Sequence, residues 1–380
     1  MRILKLLAIM LVITAACAQP AVAKDDLKIG AVFSVTGPAS FLGEPERNTL
    51  EMVEEMINEK GGVMGREVEF VIYDDETDVN KCVLATDKLI KKDRVLAVLG
   101  PSISGNTLAI MNKFPKAKIP LVSCAASEKI VKPVNPWVFK TPQSDRHAVT
   151  KILEHAEQAG HKKLAIITVS NGYGQSGRAV MKELIPERGF ELVADEVYGP
   201  KDTDMTAQLT KIKGENPDAI ICWGTNPGPA VICRNRVQLG IEAPLYQSHG
   251  VASKKFIELA GEAAEGVMLP AGHIIVAGKL PADHPQKDVL TEYVGAYEKR
   301  YGTPPSAFGG YAWDAAHLVF SAIEKGGSAD PESIRDNLEK IDHYVGASGI
   351  YNFSAQDHNG LTKEAFIMVE IKDGDWNIIE

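Results

Sequence analysis

The chain has 380 residues, 45% hydrophobic, 24% charged and 7% aromatic, an ordinary globular composition that excludes disordered, collagenous and disulfide-framework proteins. At this length one hydrophobic core tends to split, so two domains are expected. A net charge of -9 without any long Lys or Arg run argues against a nucleic-acid partner, because phosphate neutralisation needs clustered cations.

Arg2 and Lys5 precede an uncharged stretch from Leu6 to Ala18 and the small-residue pattern Ala21-Val22-Ala23. That is the order of a secretory signal, so residues 1–23 are read as removed on export to the periplasm. The apolar run is too short for the ~20 residues that span a bilayer. Ala15-Ala16-Cys17 resembles a lipoprotein cleavage box, with Thr14 where that pattern usually has Leu, so lipid anchoring at Cys17 is the alternative. Cys82, Cys124, Cys222 and Cys233 show no C-x-x-C spacing and are expected as buried thiols, with one bridge and its pairing left open.

Short β-rich runs then alternate with helical sequence. Leu27 to Val32, Glu69 to Tyr73, Val95 to Leu99 and Ile119 to Val122 read as strands, and Thr49 to Lys60 and Asn80 to Lys92 as the helices between them. Parallel strands joined by helices make a doubly wound sheet with both faces covered. The same grammar restarts after Asp145, with a helix at Ala148 to Ala159 and strands at Leu164 to Val169, Leu192 to Val197, Ala219 to Trp223 and Leu245 to Gln247. Three helices follow, Lys287 to Tyr301, Gly310 to Lys325 and Pro331 to Ile341, before a hairpin-like segment from Gly349 to Glu380.

Two α/β lobes place ligands in the loops beyond the carboxyl ends of their strands. In the first such loop Phe41 and Leu42 are apolar residues positioned to cover a ligand. After the third strand, Ser102 and Ser104 precede a helix, where hydroxyls and free N–H groups either bind an anion or cap the helix. After the fourth, Ser123 to Ser127 offers small residues whose backbone can approach a ligand closely. Gly172-Tyr173-Gly174-Gln175-Ser176-Gly177 is a formal G-x-G-x-x-G with Asp195 downstream, but Asp195 falls inside a strand run rather than at its end, so a cleft-lining turn presenting Tyr173 is the alternative to a nucleotide site. No G-x-S-x-G, H-E-x-x-H or Walker pattern occurs, which argues against an enzyme. His249, just after a strand end, is the one histidine expected to face the cleft, while Asp357 and His358 are read as part of a turn.

Lys28-Ile29-Gly30, Thr36-Gly37-Pro38, Gly61-Gly62-Val63 with Gly65, Tyr73-Asp74-Asp75, Lys88-Leu89-Ile90, Leu99-Gly100-Pro101 and Ile119-Pro120-Leu121-Val122-Ser123 form an ordered set. In order and spacing it resembles the branched-chain amino-acid (leucine/isoleucine/valine) type of periplasmic substrate-binding protein of ABC transporters. The likeness continues through Tyr173-Gly174, Ala264-Glu265-Gly266 and Tyr311-Ala312-Trp313-Asp314-Ala315. It implies a type I periplasmic binding fold, α/β, with two doubly wound lobes, a three-segment hinge and a ligand trapped by hinge closure. The crossovers are expected near Lys140 to Asp145, Pro270 to Ile275 and Tyr344 to Gly349, giving one lobe of residues 27–141 plus 275–343 and another of 142–274 plus 344–380.

The resemblance also implies a monomer that delivers a small carboxylate to an inner-membrane permease and its ATPase subunits, with no cofactor, no metal and no catalysis. A periplasmic sensor subunit would share the fold and the cleft. By the resemblance, Ser104, Ala125 and Ser127, with Ala126 between them, hold the carboxylate. Tyr173 covers the ligand, and Asn226 and His249 complete the candidate set with Phe41 and Leu42. One departure stands out: the acidic residue that pairs with an amino-acid ammonium falls on His249. Burying an ammonium without an anion costs several kcal/mol, so an aromatic or other organic acid is expected ahead of a branched-chain amino acid unless Glu44 or Glu46 substitutes.

Overall fold

The computed structural model describes residues 25–379, so the leader reading and the Cys17 anchor lie outside the described residues. The first sheet is built from β1 (Leu27–Phe33), α1 (Ser40–Glu59), β2 (Val68–Asp74), α2 (Val79–Lys88), β3 (Val98–Leu99), α3 (Ser104–Ile110), α4 (Phe114–Ala117), β4 (Leu121–Ser123) and β5 (Val138–Lys140). Its strands are parallel in the order β2-β1-β3-β4-β5. Six of the seven residues of β1 are buried, the near-continuous apolar run expected of a central parallel strand covered on both faces.

The chain then crosses to a second lobe made of α5 (Asp145–Gln158), β6 (Lys163–Val169), α6 (Gly172–Glu187), β7 (Glu191–Tyr198), α7 (Thr206–Gly214), β8 (Ala219–Trp223), α8 (Gly228–Gln238), β9 (Leu245–Gln247), α9 (Lys254–Ala260) and β10 (Met268–Gly272). It returns to the first lobe with α10 (Lys287–Tyr301), α11 (Ala307–Gly326) and α12 (Pro331–Leu338). There the Thr49 hydroxyl on α1 meets Tyr293 on α10 at 2.8 Å, and the Phe41 and Phe308 rings of α1 and α11 pack edge to face at 5.7 Å. A small hairpin, β11 (Tyr344–Val345) and β12 (Ile350–Tyr351), precedes β13 (Phe366–Lys372) and β14 (Asp375–Ile378). The last two extend the second sheet antiparallel, in the order β14-β13-β10-β9-β8-β6-β7.

Three passages run between the sheets, and buried side chains tie them together. Gln143 Nε2 donates to the Ser348 and Ala365 carbonyls at 2.7 and 3.1 Å, and the Asp314 carboxylate accepts the Ala347 and Ser348 N–H groups at 2.6 and 2.8 Å. The third passage is longer than Tyr344 to Gly349. Lys140 N donates to the His358 carbonyl at 3.1 Å and His358 stacks on Phe139 at 4.0 Å, so the chain stays beside β5 before β13 joins the other sheet.

Several element bounds differ from the sequence reading. α1 begins at Ser40 instead of Thr49, because Gly43 and Pro45 read as loop residues although the helix accommodates both. α2 ends at Lys88 and passes into a wider π turn, Leu89–Asp93. β5 was not expected at all: Val138–Lys140 is three residues long between Pro136 and Pro142, too short to show any period.

The formal glycine motif is explained by packing. A Cβ on Gly174 would lie 1.8 Å from the Val169 carbonyl oxygen, where α6 sits on the end of β6. Gly174→Ala is therefore expected to destabilise the protein by about 3 kcal/mol through overpacking. Gly214→Ala, with nothing within 4 Å, is expected to be neutral or slightly stabilising in the same denaturant titration.

A candidate ligand site between the lobes

The loops after β3 and β4 of the first lobe and after β6, β8 and β9 of the second converge on a cavity of about 160 Å³. This is the crevice beyond the strand ends where doubly wound sheets bind ligands. Of the expected residues, Leu42, Ser104, Ala126, Tyr173, Asn226 and His249 line it. Phe41, Ala125 and Ser127 do not. Phe41 turns onto Phe308 and faces an outer groove, Ala125 is buried with its N–H on Ser123 Oγ at 3.1 Å, and the Ser127 hydroxyl donates to Ser176 Oγ at 2.8 Å. Cys124, from the expected segment Ser123 to Ser127, also lines the cavity, as do Tyr198, Phe308 and Tyr311, which were not expected there.

Among the described residues that line the cavity, none is Asp, Glu, Lys or Arg. Its polarity comes from dipoles and hydroxyls. The N-terminus of α6 opens onto it, capped by the Asn171 side chain, which accepts the Gly174 N–H at 3.0 Å. α3 points its N-terminus at the same place from the other lobe, and a Cβ on Gly172 would lie only 3.3 Å from the Gly105 Cα. Neither Ser102 nor Ser104 caps α3; its cap residue is Ile103, without a side-chain bond. Ser102 is fully engaged, accepting the Ser34 N–H at 3.0 Å and donating to the Glu46 carboxylate. Ser104 Oγ accepts the Ser127 N–H at 3.2 Å, which leaves its own hydroxyl proton free to donate into the cavity.

Neither glutamate takes the place of the missing acid. Glu46 is buried behind Ser102, outside the cavity lining, and burial pushes its carboxyl well above the usual range. Glu44 lies on the outer groove with Tyr297 and Tyr301.

The second lobe supplies an aromatic box. His249 is edge to face with Tyr173 at 5.7 Å and with Trp223 at 5.8 Å, and its ring centroid is 5.1 Å from that of Phe366. Its Nδ1 is 3.4 Å from the Tyr173 hydroxyl, while its Nε2 and both amide atoms of Asn226 are buried without a hydrogen-bond partner. Buried polar atoms without partners carry a desolvation cost, so these three mark where a ligand's polar group belongs. Burial, reinforced by the Lys140 charge, pushes the His249 imidazole down to about 3, so it is neutral near pH 7.

The Asp195 carboxylate is committed elsewhere, 2.6 and 2.7 Å from Arg178 and 3.3 Å from Lys182. A Cβ on Gly177 would press on the Trp223 indole nitrogen at 2.2 Å. The glycines thus seat α6 on its sheet instead of opening space for a pyrophosphate.

The sequence profile of the family described as periplasmic binding protein matches residues 26–375. The chain belongs to that family. A Leu, Ile, Val, Thr and Ala-binding protein of Pseudomonas aeruginosa is 26% identical over 325 residues, covering 84% of each chain. An extracellular ligand-binding receptor from Rhodopseudomonas palustris HaA2 superposes with a TM-score of 0.88 at 29% identity, covering 93% of this chain and all of that one. The branched-chain amino acid transporter substrate-binding protein LivJ of Streptococcus pneumoniae, solved with isoleucine, gives 0.82 at 27% identity over 93% of this chain and 98% of its own. The type I periplasmic binding fold of this binding protein accounts for its two lobes and three passages. No helix among its described residues is long and apolar enough to cross a membrane.

The buried imidazole gives the binding protein a defined acid response. Its value when folded lies below the ~6.5 of an unfolded histidine, so the unfolded chain gains a proton that the folded one refuses, and stability is lost as pH falls below ~6.5. His249→Gln should lose about 2 kcal/mol less than wild type between pH 7.5 and 5.0 in denaturant titrations, whereas equal losses would mean that His249 is not buried neutral.

Proposed function

We propose that this chain is the extracytoplasmic solute-binding subunit of an ABC importer and that it takes a small carboxylate whose far end carries no ammonium. Lobes of residues 27–141 plus 275–343 and 142–274 plus 344–380, with the start of that last segment passing beside β5, close on the ligand and present it to an inner-membrane permease and its ATPase subunits. Residues 1–23 direct it to the periplasm, and a lipid on Cys17 is the alternative attachment.

The observation that carries the ligand class is a cavity lined without any formal charge, with the N-termini of α3 and α6 reaching it from opposite lobes and a neutral histidine and an amide on the second lobe. Helix N-termini and the Ser104 hydroxyl favour a carboxylate. An ammonium would have no anionic partner there, whereas a phenol or carbonyl oxygen could accept from His249 Nε2 and Asn226. The volume suits a single ring or a short chain, being smaller than the ~300 Å³ at which drug-sized sites begin. An aromatic or other organic acid thus ranks ahead of a branched-chain amino acid. The names of the relatives favour the amino acid, and the test has to separate the two.

Isothermal titration of the purified protein with 4-hydroxybenzoate and with leucine makes the separation. The expected result is tight binding of the aromatic acid and little or none of leucine; the reverse removes the organic-acid reading. Ser104→Ala should weaken whichever carboxylate binds by about tenfold, the worth of one hydrogen bond to a charged group.

A further inference from the structure

The Ser127 hydroxyl, expected on the ligand, instead crosses the cleft. It donates at 2.8 Å to Ser176 Oγ on α6, and Ser176 in turn donates to the Asp145 carboxylate at the first passage between the lobes. The same Asp145 Oδ2 accepts the Glu128 N–H of the first lobe at 3.2 Å. Donors from both lobes therefore converge on one carboxylate oxygen. All three residues are buried, with Ser127 and Asp145 at 0% and Ser176 at 2% exposure. Lys140 sits beside them, its Nζ donating to the Ala126 and Pro142 carbonyls at 2.8 and 3.0 Å.

The direction of each bond matters. A hydroxyl donates once, so Ser127 gives its proton to Ser176 and Ser176 gives its own to Asp145, a chain that ends on a charge and is strengthened by it. Ser127 also places its backbone N–H on Ser104 Oγ at 3.2 Å, which is what leaves the Ser104 proton for the cavity. An anion that draws on that proton makes Ser104 Oγ a better acceptor, and so tightens its bond to Ser127. Parting the lobes breaks the Ser127–Ser176 link and returns Asp145 to water.

We propose that Ser127, Ser176 and Asp145 form a closure latch, wired through Ser104 to the ligand site, that sets how long the lobes stay shut. These are positioning residues, since none of the three lines the cavity. The wiring to Ser104 rests on the carboxylate reading above, while the latch itself does not.

The test uses spin labels on Leu84→Cys and Val237→Cys, exposed positions on opposite lobes, with the four native thiols buried. In ligand-free protein Ser176→Ala should lower the closed-to-open ratio about tenfold, and Ser176→Thr, which keeps the hydroxyl, should restore it. In stopped-flow binding of 4-hydroxybenzoate, or of leucine if that is what binds, Ser176→Ala should speed dissociation about tenfold with association unchanged. An unchanged ratio, or a Thr variant as open as the Ala variant, overturns the latch. If Ser176→Ala does not fold, Ser127→Ala removes the same bond from the other lobe and is read in the same way. If neither probe binds wild type, the carboxylate reading fails, and the label distances still decide the latch.

Discussion

Two helix N-termini held face to face across a cleft set the terms for the rest of this molecule. α6, sixteen residues long, presents the larger positive end and the seven-residue α3 a weaker one, so bringing the two together has an electrostatic cost. They approach closely at Gly172, where an added Cβ would lie 3.3 Å from the Gly105 Cα. On the carboxylate reading proposed above, an anion placed between them would offset that cost. Closure and binding are then one equilibrium: the closed arrangement is expensive when empty and favourable when filled, and affinity is the difference between the two. The hydroxyl of Ser104, freed by the Ser127 N–H, adds a directional donor to a field that is otherwise only a gradient.

A hinge that serves such an equilibrium must bend without exposing or orphaning its backbone. The three passages meet this need with buried polar side chains in place of apolar packing. Asp314 receives two consecutive N–H groups of the third passage, and Gln143 holds the Ser348 and Ala365 carbonyls of the same passage from the first. Burial pushes the Asp314 carboxyl up to about 6, against the pull of those donors. With Asp314 and Gln143 both partnered, these bonds favour one geometry of approach, because another arrangement would leave a buried carboxylate or amide unsatisfied. The site therefore closes in register, which a purely apolar hinge would not guarantee.

Those same features explain what the sequence revealed and what it concealed. Most strands of both lobes were legible because a parallel strand buried on two faces reads as an apolar run, as in Leu27 to Phe33, whereas β10, Met268–Gly272, lies where only a crossover was expected. β5 was not, since three residues between prolines have no period, and the start of α1 was hidden by Gly43 and Pro45. Loops after strand ends led to Ser104, Tyr173, Asn226 and His249, all of which reach the cavity. Tyr198 sits at the end of an edge strand, and Phe308 and Tyr311 lie in a helix more than two hundred residues after Ser104, so only the return of the chain to the first lobe brings the last two to the site. Ser127 had the right position in the chain for a ligand contact, but hydrogen-bond direction, which no spacing encodes, turned it toward Ser176.

The charges of the region stand one layer behind the cavity wall. Glu46 lies behind Ser102, Asp145 behind Ser176, and Lys140 behind the Ala126 carbonyl, each buried and none lining the space. The cavity wall is therefore a set of neutral groups oriented by buried titratable side chains outside its lining, Glu46 among them with its carboxyl pushed toward the neutral form. Such a wall discriminates by hydrogen-bond direction more than by charge. An ammonium brings three donors and needs three acceptors, and among the described residues that line the cavity Asn226 Oδ1 is the one unpartnered side-chain atom that cannot act as a donor. A phenol or carbonyl oxygen needs donors instead, and His249 Nε2 and Asn226 Nδ2 supply two from the same wall once the imidazole proton sits on Nε2. Tyr173 enforces that tautomer if its hydroxyl donates to Nδ1, so the aromatic residue proposed to cover the ligand would also decide what the histidine can recognise.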